Sequence, residues 1–576
     1  MPTEPTSPTS STTSTGPADL VVTGARVHPR AGGGPGAAPP ADAVAVRGDR
    51  IVFVGAADAV RDLVGPATRV VDAAGGLVLP GFQDSHVHAP FAGRNRLRVW
   101  LNDLHGKQAY LDAIAAYAAA NPDEPWILGG GWAMEFFPGG TPRKEDLDAV
   151  VPDRPVFLFN RDVHGAWVNS RALEVGGITA ATPDPSDGRI ERDPDGSPTG
   201  TLHEGAAYTF NDTVVPVPSH EEWVASVLEG QRHLHSLGIT GWQDAWVTPA
   251  TLRAYETVAA DGRLTGRVVG SLWWDRHRGL EQVDDLLAQR EHALDVAAKA
   301  GAPVPGFHPT TVKIMTDGVL ENYTGALLES YCDGCGGHTG NHGLAYVEHD
   351  LLVEAVSTLD RHGFQVHMHA IGDRAVRNSL DAVEAALRAN GAGDRRHHVA
   401  HVQVVHPDDV PRFAALGAVA NCQALWAQSD AQMDELTMPF LGPDRGGFQY
   451  PFESIRAAGA RLAMGSDWSV SSADPLEQIE VAVNRAASWA RDVPAFLPSE
   501  KLPLQVAVDA FTAGSAYVNH DDDAGRVEVG ARADLAVLDT DVFAESFSRN
   551  GYVPVADASV VLTVAAGRVV HAATGQ

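Results

Sequence analysis

The chain has 576 residues, more than one hydrophobic core normally serves, so at least two domains are expected. Lys and Arg number 43 and Asp and Glu number 73, and the net charge of −30 argues against nucleic acid or an anionic membrane as a partner. Three cysteines cannot build a disulfide framework in so long a chain, and no apolar run is long enough to span a membrane. We therefore expect a cytoplasmic protein.

Both ends of the chain have sequence patterns typical of short β-strands. Residues 1–17 are mostly Ser, Thr and Pro without the apolar stretch of a signal peptide, so a disordered tail is expected there. Short strands are predicted at 20–27, 43–54, 69–79, 533–538, 560–566 and 568–571. Residues 18–80 and 520–576 should together form one small composite β-sandwich.

The middle of the chain, residues 81–519, alternates strand-like runs with helical patterns, which is typical of a parallel α/β fold. Eight runs are predicted, at 81–88, 238–244, 267–274, 310–317, 364–370, 397–404, 417–423 and 461–467. Eight βα units in succession predict a (β/α)8 barrel of the TIM type, with its active site at the carboxyl ends of the strands. The first interval is too long for a loop, so residues 95–225 should form an inserted subdomain over the barrel mouth.

The first predicted strand ends in a His-x-His pair, His86 and His88. On a strand both imidazoles point to the same side, where they could bind one metal ion. An isolated pair of this kind also fits two structural histidines. Its interpretation therefore depends on the other strand ends.

Ionisable residues also occur in or at the end of four later strands. They are Lys313, His369, His401 and Asp467. Burying such groups is costly unless they are paired or bound to metal. Four imidazoles, one lysine and one carboxylate at one edge of a barrel suit two divalent ions.

Lys313 is one of only five lysines among 43 basic residues. A buried lysine can lose its proton and act as a nucleophile, which arginine cannot do. With carbon dioxide it would form a carbamate whose two oxygens can bridge two metals. The alternative is an ion pair between Lys313 and nearby Asp317.

The motifs together resemble the amidohydrolase superfamily, and more closely its branch that includes N-substituted formamide deformylase. The resemblance covers nearly the whole chain. Its motifs are Pro80-Gly81-Phe82-Gln83-Asp84-Ser85-His86-Val87-His88, Val312-Lys313 with Asp317-Gly318, His369-Ala370-Ile371-Gly372-Asp373, and Gly465-Ser466-Asp467-Trp468.

The resemblance implies a set of ligands for each of two metals and one group that bridges the metals. The implied ligands of one metal are His86, His88 and Asp467. Those of the other are His369 and His401, with a carboxylated Lys313 as the bridge. The preference for His369 over His367, which shares its strand face, rests on the family pattern. Ala400 stands before His401 where similar proteins often have Glu, which could alter the contacts around that ligand.

Three further groups have two interpretations each. Trp132, His164 and Glu204 resemble family motifs in the insert and are expected to line the substrate pocket, with packing as the alternative. Asp373 begins a helical pattern and fits a helix N-cap or a site residue. Cys332, Cys335 and His338 have zinc-like spacing but no clear fourth ligand.

The predicted function is hydrolysis of a carbon-nitrogen bond other than a peptide bond, in an amide or N-formyl amine, with Asp467 as general base. A deaminase or lactonase on the same site, or a catalytically inactive regulatory protein, remain alternatives. Two divalent ions are expected, zinc first, with manganese or iron as other choices. We expect a small-molecule substrate, no nucleic-acid or membrane partner, and leave a homodimer open.

Overall fold

The computed structural model describes residues 16–28, 41–301 and 306–573, so the tail predicted for 1–17 lies almost wholly outside the described residues. Its strands, in chain order, are β1 (Leu20–Thr23), β2 (Arg26–Val27), β3 (Ala43–Arg47), β4 (Arg50–Gly55), β5 (Arg69–Asp72), β6 (Leu77–Pro80), β7 (Phe82–Val87), β8 (Val99–Trp100), β9 (Ile127–Trp132), β10 (Val156–Asn160), β11 (Gly165–Val168), β12 (Gly188–Arg192), β13 (Pro198–Glu204), β14 (Ile239–Val247), β15 (Arg267–Trp273), β16 (Phe307–Met315), β17 (Gln365–Ala370), β18 (His398–His401), β19 (Val419–Cys422), β20 (Leu462–Met464), β21 (Leu535–Leu538), β22 (Val560–Ala565) and β23 (Arg568–Ala572).

The α-helices lie between these strands. They are α1 (Ala57–Val60), α2 (Ala89–Arg96), α3 (Lys107–Ala120), α4 (Lys144–Val150), α5 (Ser170–Val175), α6 (Gly205–Thr213), α7 (His220–Ser236), α8 (Pro249–Ala260), α9 (Val283–Ala300), α10 (His349–Arg361), α11 (Asp373–Asn390), α12 (Val410–Leu416), α13 (Met438–Gly446), α14 (Phe452–Ala457), α15 (Pro475–Asn484), α16 (Leu504–Asp509) and α17 (Ser515–Val518). Over the described ranges, none is both long and apolar enough to cross a bilayer.

The central sheet has eight strands, all parallel, in the order β7-β14-β15-β16-β17-β18-β19-β20. Each of the eight predicted runs overlaps one of these strands, which confirms the (β/α)8 barrel. The last strand returns to the first, where the Ser85 hydroxyl donates to the Met464 carbonyl at 2.8 Å. Because the strands are parallel, their carboxyl ends meet at one edge.

The barrel strands are buried on both faces, as expected of a parallel sheet covered by helices. Strands β7 and β17 are buried at every position, including their polar residues. Outside the sheet, α10 and α11 follow β16 and β17 and pack on each other. The polar groups inside this core must therefore find partners within the protein.

Two further sheets use both ends of the chain. One has the order β4-β3-β1-β5, and the other has the order β2-β6-β21-β22-β23, which combines N-terminal with C-terminal strands. Val22, Val46, Val78, Leu535 and Val564 belong to the apolar core that these sheets share. These contacts support the proposed composite sandwich of residues 18–80 and 520–576.

The segment between the first two barrel strands carries a six-stranded sheet of its own, in the order β12-β13-β11-β10-β9-β8. Apolar clusters lie around this sheet, one containing Tyr110 and Trp167 and another containing Phe157 and Phe210. Its own core supports the proposal that residues 95–225 form an inserted subdomain.

A buried ion triad joins the terminal sandwich to the barrel. Arg532 donates to Asp534 from Nε at 2.6 Å and to Asp521 from Nη1 at 2.8 Å, and all three side chains are almost fully buried. The backbone carbonyl of Asp534 accepts from Gly81 N at 2.8 Å, immediately before the first barrel strand. The amide of Gln83, inside that strand, donates to Asp521 at 3.3 Å.

Replacing Arg532 with Ala should leave the buried carboxylate of Asp534 without its cation and leave Asp521 with only Arg267, whose Nε is 3.7 Å away. The loss of one partner from a buried ion pair costs about 3 to 5 kcal/mol, so the urea midpoint for unfolding should fall clearly. Arg61→Ala is the control, because Arg61 pairs with Asp58 at the surface, where an ion pair contributes about 1 kcal/mol or less. Equal urea midpoints for the two variants would contradict this account of the junction.

Candidate metal centre

The six predicted ligands meet at the carboxyl edge of the barrel. All six line one cavity of about 410 Å³: His86, His88, Lys313, His369, His401 and Asp467. They arrive there from β7, β16, β17 and β18 and from the segment that follows β20. Five are buried, and His88 is the most accessible, with 15% of its side chain exposed.

Three of these side chains form a compact group. The ligand atoms of His86, His401 and Asp467 all lie within 4.8 Å of one another. Asp467 Oδ1 is 3.3 Å from His86 Nε2 and 3.0 Å from His88 Nε2, and Asp467 Oδ2 is 3.9 Å from His401 Nδ1. His401 therefore lies with the histidine and aspartate assigned to the first metal, as well as beside His369, with the two ring centroids 4.5 Å apart.

The donor set fits a divalent metal ion. Within the described residues, Asp467 Oδ1 is buried without a hydrogen-bond partner, although two imidazole nitrogens lie close to it. Ligand atoms about 2.0 to 2.1 Å from a tetrahedral zinc are separated by roughly 3.3 Å, which is the spacing seen around this oxygen. Ligand atoms that bind the same cation lie this close to one another without forming hydrogen bonds.

Burial keeps the histidines in the form that binds metal. Desolvation lowers the pKa of His86, His369 and His401 well below the ordinary value, and Lys313 adds to the effect. Burial raises the pKa of Asp467, but the nearby His88, His401 and Lys313 side chains bring it below its ordinary value. Neutral imidazoles beside an ionised carboxylate are the protonation states that a metal ion requires.

Local backbone conformation turns two of the ligands inward. His401 and Asp467 have φ values of 75° and 57°, in the left-handed region that non-glycine residues rarely adopt. Asp467 N donates to the His86 carbonyl at 2.7 Å, and His401 N donates to the Gln423 side chain at 2.7 Å. Such strain is held by its surroundings and is common at functional sites.

Asp84, a motif residue that received no role in the sequence analysis, joins the first and last strands. Its carboxylate accepts from His86 N at 3.0 Å, from Ser466 N at 3.1 Å and from the Ser466 hydroxyl at 2.5 Å. Burial raises the pKa of Asp84 to about 7. The side chain therefore positions the backbone of both His86 and the Ser466-Asp467 turn.

Lys313 lies in the cavity wall almost fully buried, and burial lowers its pKa to about 7. The suggested ion pair with Asp317 does not form. Asp317 accepts from His369 Nδ1 at 3.0 Å and from the backbone amides of Ala326, Ile371 and Gly372 at 2.9 to 3.1 Å. The carboxylate thus orients His369, a contact typical of metal-binding histidines.

The two histidines of β17 have different surroundings. His369 lines the cavity, whereas His367 lies deeper in the barrel and contacts His86 Nδ1 through Nε2 at 2.9 Å. His367 Nδ1 also lies 3.3 Å from the Ser271 hydroxyl, and its ring is tilted against that of His398, with the two centroids 4.1 Å apart. This geometry favours His369 as the candidate ligand and assigns His367 a supporting contact.

The three predicted pocket residues of the insert occupy different positions in the structure. His164 lines the cavity, and its Nδ1 lies 2.8 Å from Glu204. Burial lowers the pKa of His164, but the Glu204 carboxylate raises it to about 9. Glu204 is buried behind His164 and accepts from Thr324 at 2.8 Å. Trp132 does not reach the cavity, because its indole packs in the core of the insert and donates to the Leu158 carbonyl at 2.9 Å.

Asp373 and the cysteine loop both lie away from the candidate metal centre. Asp373 is the first residue of α11, whose N-cap is Gly372, and its carboxylate accepts from Leu328 N at 2.8 Å outside the cavity. Cys332 and Cys335 are unpaired, and a backbone bridge joins Cys332 to His338. Over the described residues, no metal-ligand grouping forms in this loop.

Aromatic residues that carried no motif form much of the cavity wall. They include Tyr208, Trp246, Trp273, Trp426 and Tyr450. Trp246 and Trp273 belong to β14 and β15, so their position at the carboxyl ends of predicted strands was the available signal. Trp246 stands next to the metal ligands, with its ring centroid 6.3 Å from that of His88.

Comparison with known proteins identifies the family of the chain. The sequence model of the amidohydrolase family matches residues 69–571. The chain belongs to the amidohydrolase family. It is a hydrolase, and the resemblance seen in its motifs is confirmed.

Three similar proteins illustrate the range of this amidohydrolase's relatives. Protein LONG AFTER FAR-RED 3 of Arabidopsis thaliana is 30% identical over 570 residues, covering 96% of this chain and 91% of that protein. N-substituted formamide deformylase of Arthrobacter pascens is 28% identical, covering 87% and 90%. The crystal structure of an uncharacterized metal-dependent hydrolase from Pyrococcus furiosus shares the fold, with a TM-score of 0.68 at 24% identity over 91% and 99% of the two chains.

Asp317→Asn should weaken metal binding without unfolding the amidohydrolase. An amide offers one acceptor oxygen where the carboxylate serves His369 and three backbone amides, so His369 should lose its orientation. The loss of such a partner typically costs about tenfold to a hundredfold in metal affinity. The measurement is the metal retained during dialysis against increasing chelator.

The matched control is Asp373→Asn, the same chemical change at a buried carboxylate outside the cavity. It should retain metal like the wild type. If Asp317→Asn also retains metal like the wild type, the orienting role assigned to Asp317 is wrong.

Proposed function

We propose that this amidohydrolase uses two divalent metal ions, zinc in the first instance, to hydrolyse the carbon-nitrogen bond of an amide or N-formyl amine. The convergence of six potential ligands on one cavity supports this proposal most strongly. A relative that is named as an N-substituted formamide deformylase aligns with 87% of the chain, which supports N-formyl amines as the first substrates to test.

The carboxylate of Asp467 supports a site with two ions. Its Oδ1 faces His86 and His88, whereas Oδ2 is the oxygen nearest to His401. One ion would be held by His86, His88 and Asp467, and the other by His369 and His401. The Nζ amine of Lys313 would add to the carbon of carbon dioxide and lose a proton, and the resulting carbamate would be an anionic ligand for the two ions.

Bound divalent ions supply a water molecule of lowered pKa and polarise the substrate carbonyl. Asp467 accepts the proton of the attacking water at Oδ2, the oxygen that remains available when Oδ1 holds an ion, and transfers it to the leaving nitrogen. Glu204 holds His164 through Nδ1 and leaves Nε2 to donate to the substrate carbonyl oxygen. Since the pKa of His164 is raised to about 9, this donor stays protonated at neutral pH.

The cavity limits the size and kind of substrate. Its volume of about 410 Å³ suits a small organic molecule, and Trp246, Trp273 and Trp426 provide apolar walls beside the ligands. An amide with an apolar or aromatic substituent on nitrogen fits this combination.

Asp467→Asn should separate catalysis from binding. The amide keeps the size and one oxygen but removes the base, so kcat on a responsive N-formyl or N-acyl amine should fall by about 10² to 10⁴. Asp408→Asn, at a surface carboxylate with 85% exposure, should keep the wild-type kcat. Hydrolysis by Asp467→Asn at the wild-type rate would disprove the mechanism.

Lys313→Ala tests the carbamate. The truncated side chain should abolish most activity, and a small carboxylic acid such as propionate should restore part of it by occupying the vacated volume. Lys313→Arg is the control, since it fills the volume and cannot form a carbamate, so acid should not restore its activity. Full activity of Lys313→Ala without added acid would refute the bridging role.

A further inference from the structure

A second cavity adjoins the one that contains the candidate ligands. Its volume is about 310 Å³, and it shares His88, Asn211, Asp212 and Trp246 with the first cavity. The wall is largely apolar and includes Phe91, Leu128, Phe157, Phe159 and Trp223. A substrate bound at the candidate metal centre could therefore extend past His88 and Trp246 into this space.

One buried charge in this wall has no hydrogen-bonding or ionic partner among the described residues. Arg94 lines the second cavity and is only 9% exposed, and its Nε has no hydrogen-bond partner in the described parts of the chain. In the same described parts of the chain, the other guanidinium nitrogens of Arg94 have no hydrogen bond or ion pair either. The guanidinium carbon instead lies 4.6 Å from the ring centroid of Trp223 and 5.2 Å from that of Phe91. An unpaired buried charge is expensive to maintain, so a binding role is indicated.

The acidic residues near Arg94 are engaged elsewhere. Glu222 accepts from Arg98 at 2.9 Å and from Ser219 N at 2.8 Å. Asp244 accepts from the Tyr255 hydroxyl at 2.8 Å and from Trp246 N at 2.9 Å. Asp212 is exposed and accepts from its neighbour Asn211 at 2.8 Å. Arg94 therefore has no internal counter-ion among these three carboxylates.

We propose that the second cavity is a subsite that binds a carboxylate on the substrate, with Arg94 as its specificity-determining residue. A guanidinium presents paired N–H donors that match the two oxygens of a carboxylate. The inference deepens the proposed function and rests on it, since the carboxylate belongs to the compound whose amide is cleaved. The substrate class is then an N-formyl or N-acyl amine with an acidic end.

The position of Arg94 sets the length of that compound. Helix α2 begins directly after His88, so Arg94 lies six residues farther along, about 9 Å at 1.5 Å per residue. Aromatic residues line the path between the two positions. The acidic end should therefore be separated from the amide by a chain of several carbons.

The test uses two matched series of N-formyl compounds on the metal-loaded enzyme. One series contains N-formyl ω-amino acids with two to six carbons, and the other contains N-formyl alkylamines of the same lengths. The wild type should prefer the acids by at least about tenfold in kcat/KM, with an optimum length, because a charge-assisted hydrogen bond is worth that much or more.

Arg94→Met should reduce this preference at least tenfold, and Arg94→Lys should retain part of it. Met replaces an unpaired charge with an apolar chain of similar length, so folding should persist, and thermal unfolding checks this. The control is Arg96→Met on the same helix, because Arg96 pairs with Glu229 and lines neither cavity. Its acid preference should equal that of the wild type.

Calorimetric binding of hexanoate separates failure of the subsite from failure of the proposed function. The metal-loaded wild type should bind hexanoate at least tenfold more tightly than Arg94→Met. If no formamide is hydrolysed but hexanoate binding still depends on Arg94, the proposed function is wrong and the subsite stands. If neutral formamides are hydrolysed as fast as the acids and hexanoate binds equally to both proteins, the subsite is wrong and the function stands.

Discussion

The whole site depends on the seam where the last barrel strand meets the first. There Asp467 N donates to the His86 carbonyl at 2.7 Å, and His88 N donates to the Trp468 carbonyl at 2.8 Å. Asp84 reinforces this seam by accepting from the backbone of both sides. These bonds bring the Asp467 carboxylate to within 3.3 Å of the imidazoles of His86 and His88, which lie 381 and 379 residues earlier in the sequence.

Burial gives this geometry its chemistry. Desolvation keeps the imidazoles of His86, His369 and His401 neutral and lowers the pKa of Lys313 to about 7, so the groups can act as ligands and as an amine. Contacts behind the ligands, such as that of Asp317 with His369, offset the free-energy cost of burying these polar groups. Arg94 differs from these groups because, within the described residues, its buried guanidinium contacts the rings of Trp223 and Phe91 but has no hydrogen bond or ion pair.

The barrel and the convergence of the six candidate ligands on one cavity could be predicted because parallel strands leave a simple pattern, an apolar run with a polar residue at its carboxyl end. The contacts of His367 with His86 and of Asp84 with Ser466 left no such pattern because they join distant parts of the sequence. The left-handed backbone at His401, which brings it to Asp467, is likewise invisible in residue periodicity. Trp132 was expected at the pocket because it resembles a family motif, but it packs in the core of the insert.

Anomalous X-ray scattering from crystals of the metal-loaded enzyme, collected on both sides of the absorption edge of the metal, tests the central claim most directly. The account predicts two peaks about 3.5 to 4 Å apart. One should lie between His86, His88 and Asp467 and the other beside His369 and His401, with continuous density from Lys313 to both. A single peak, or peaks away from these side chains, would contradict it.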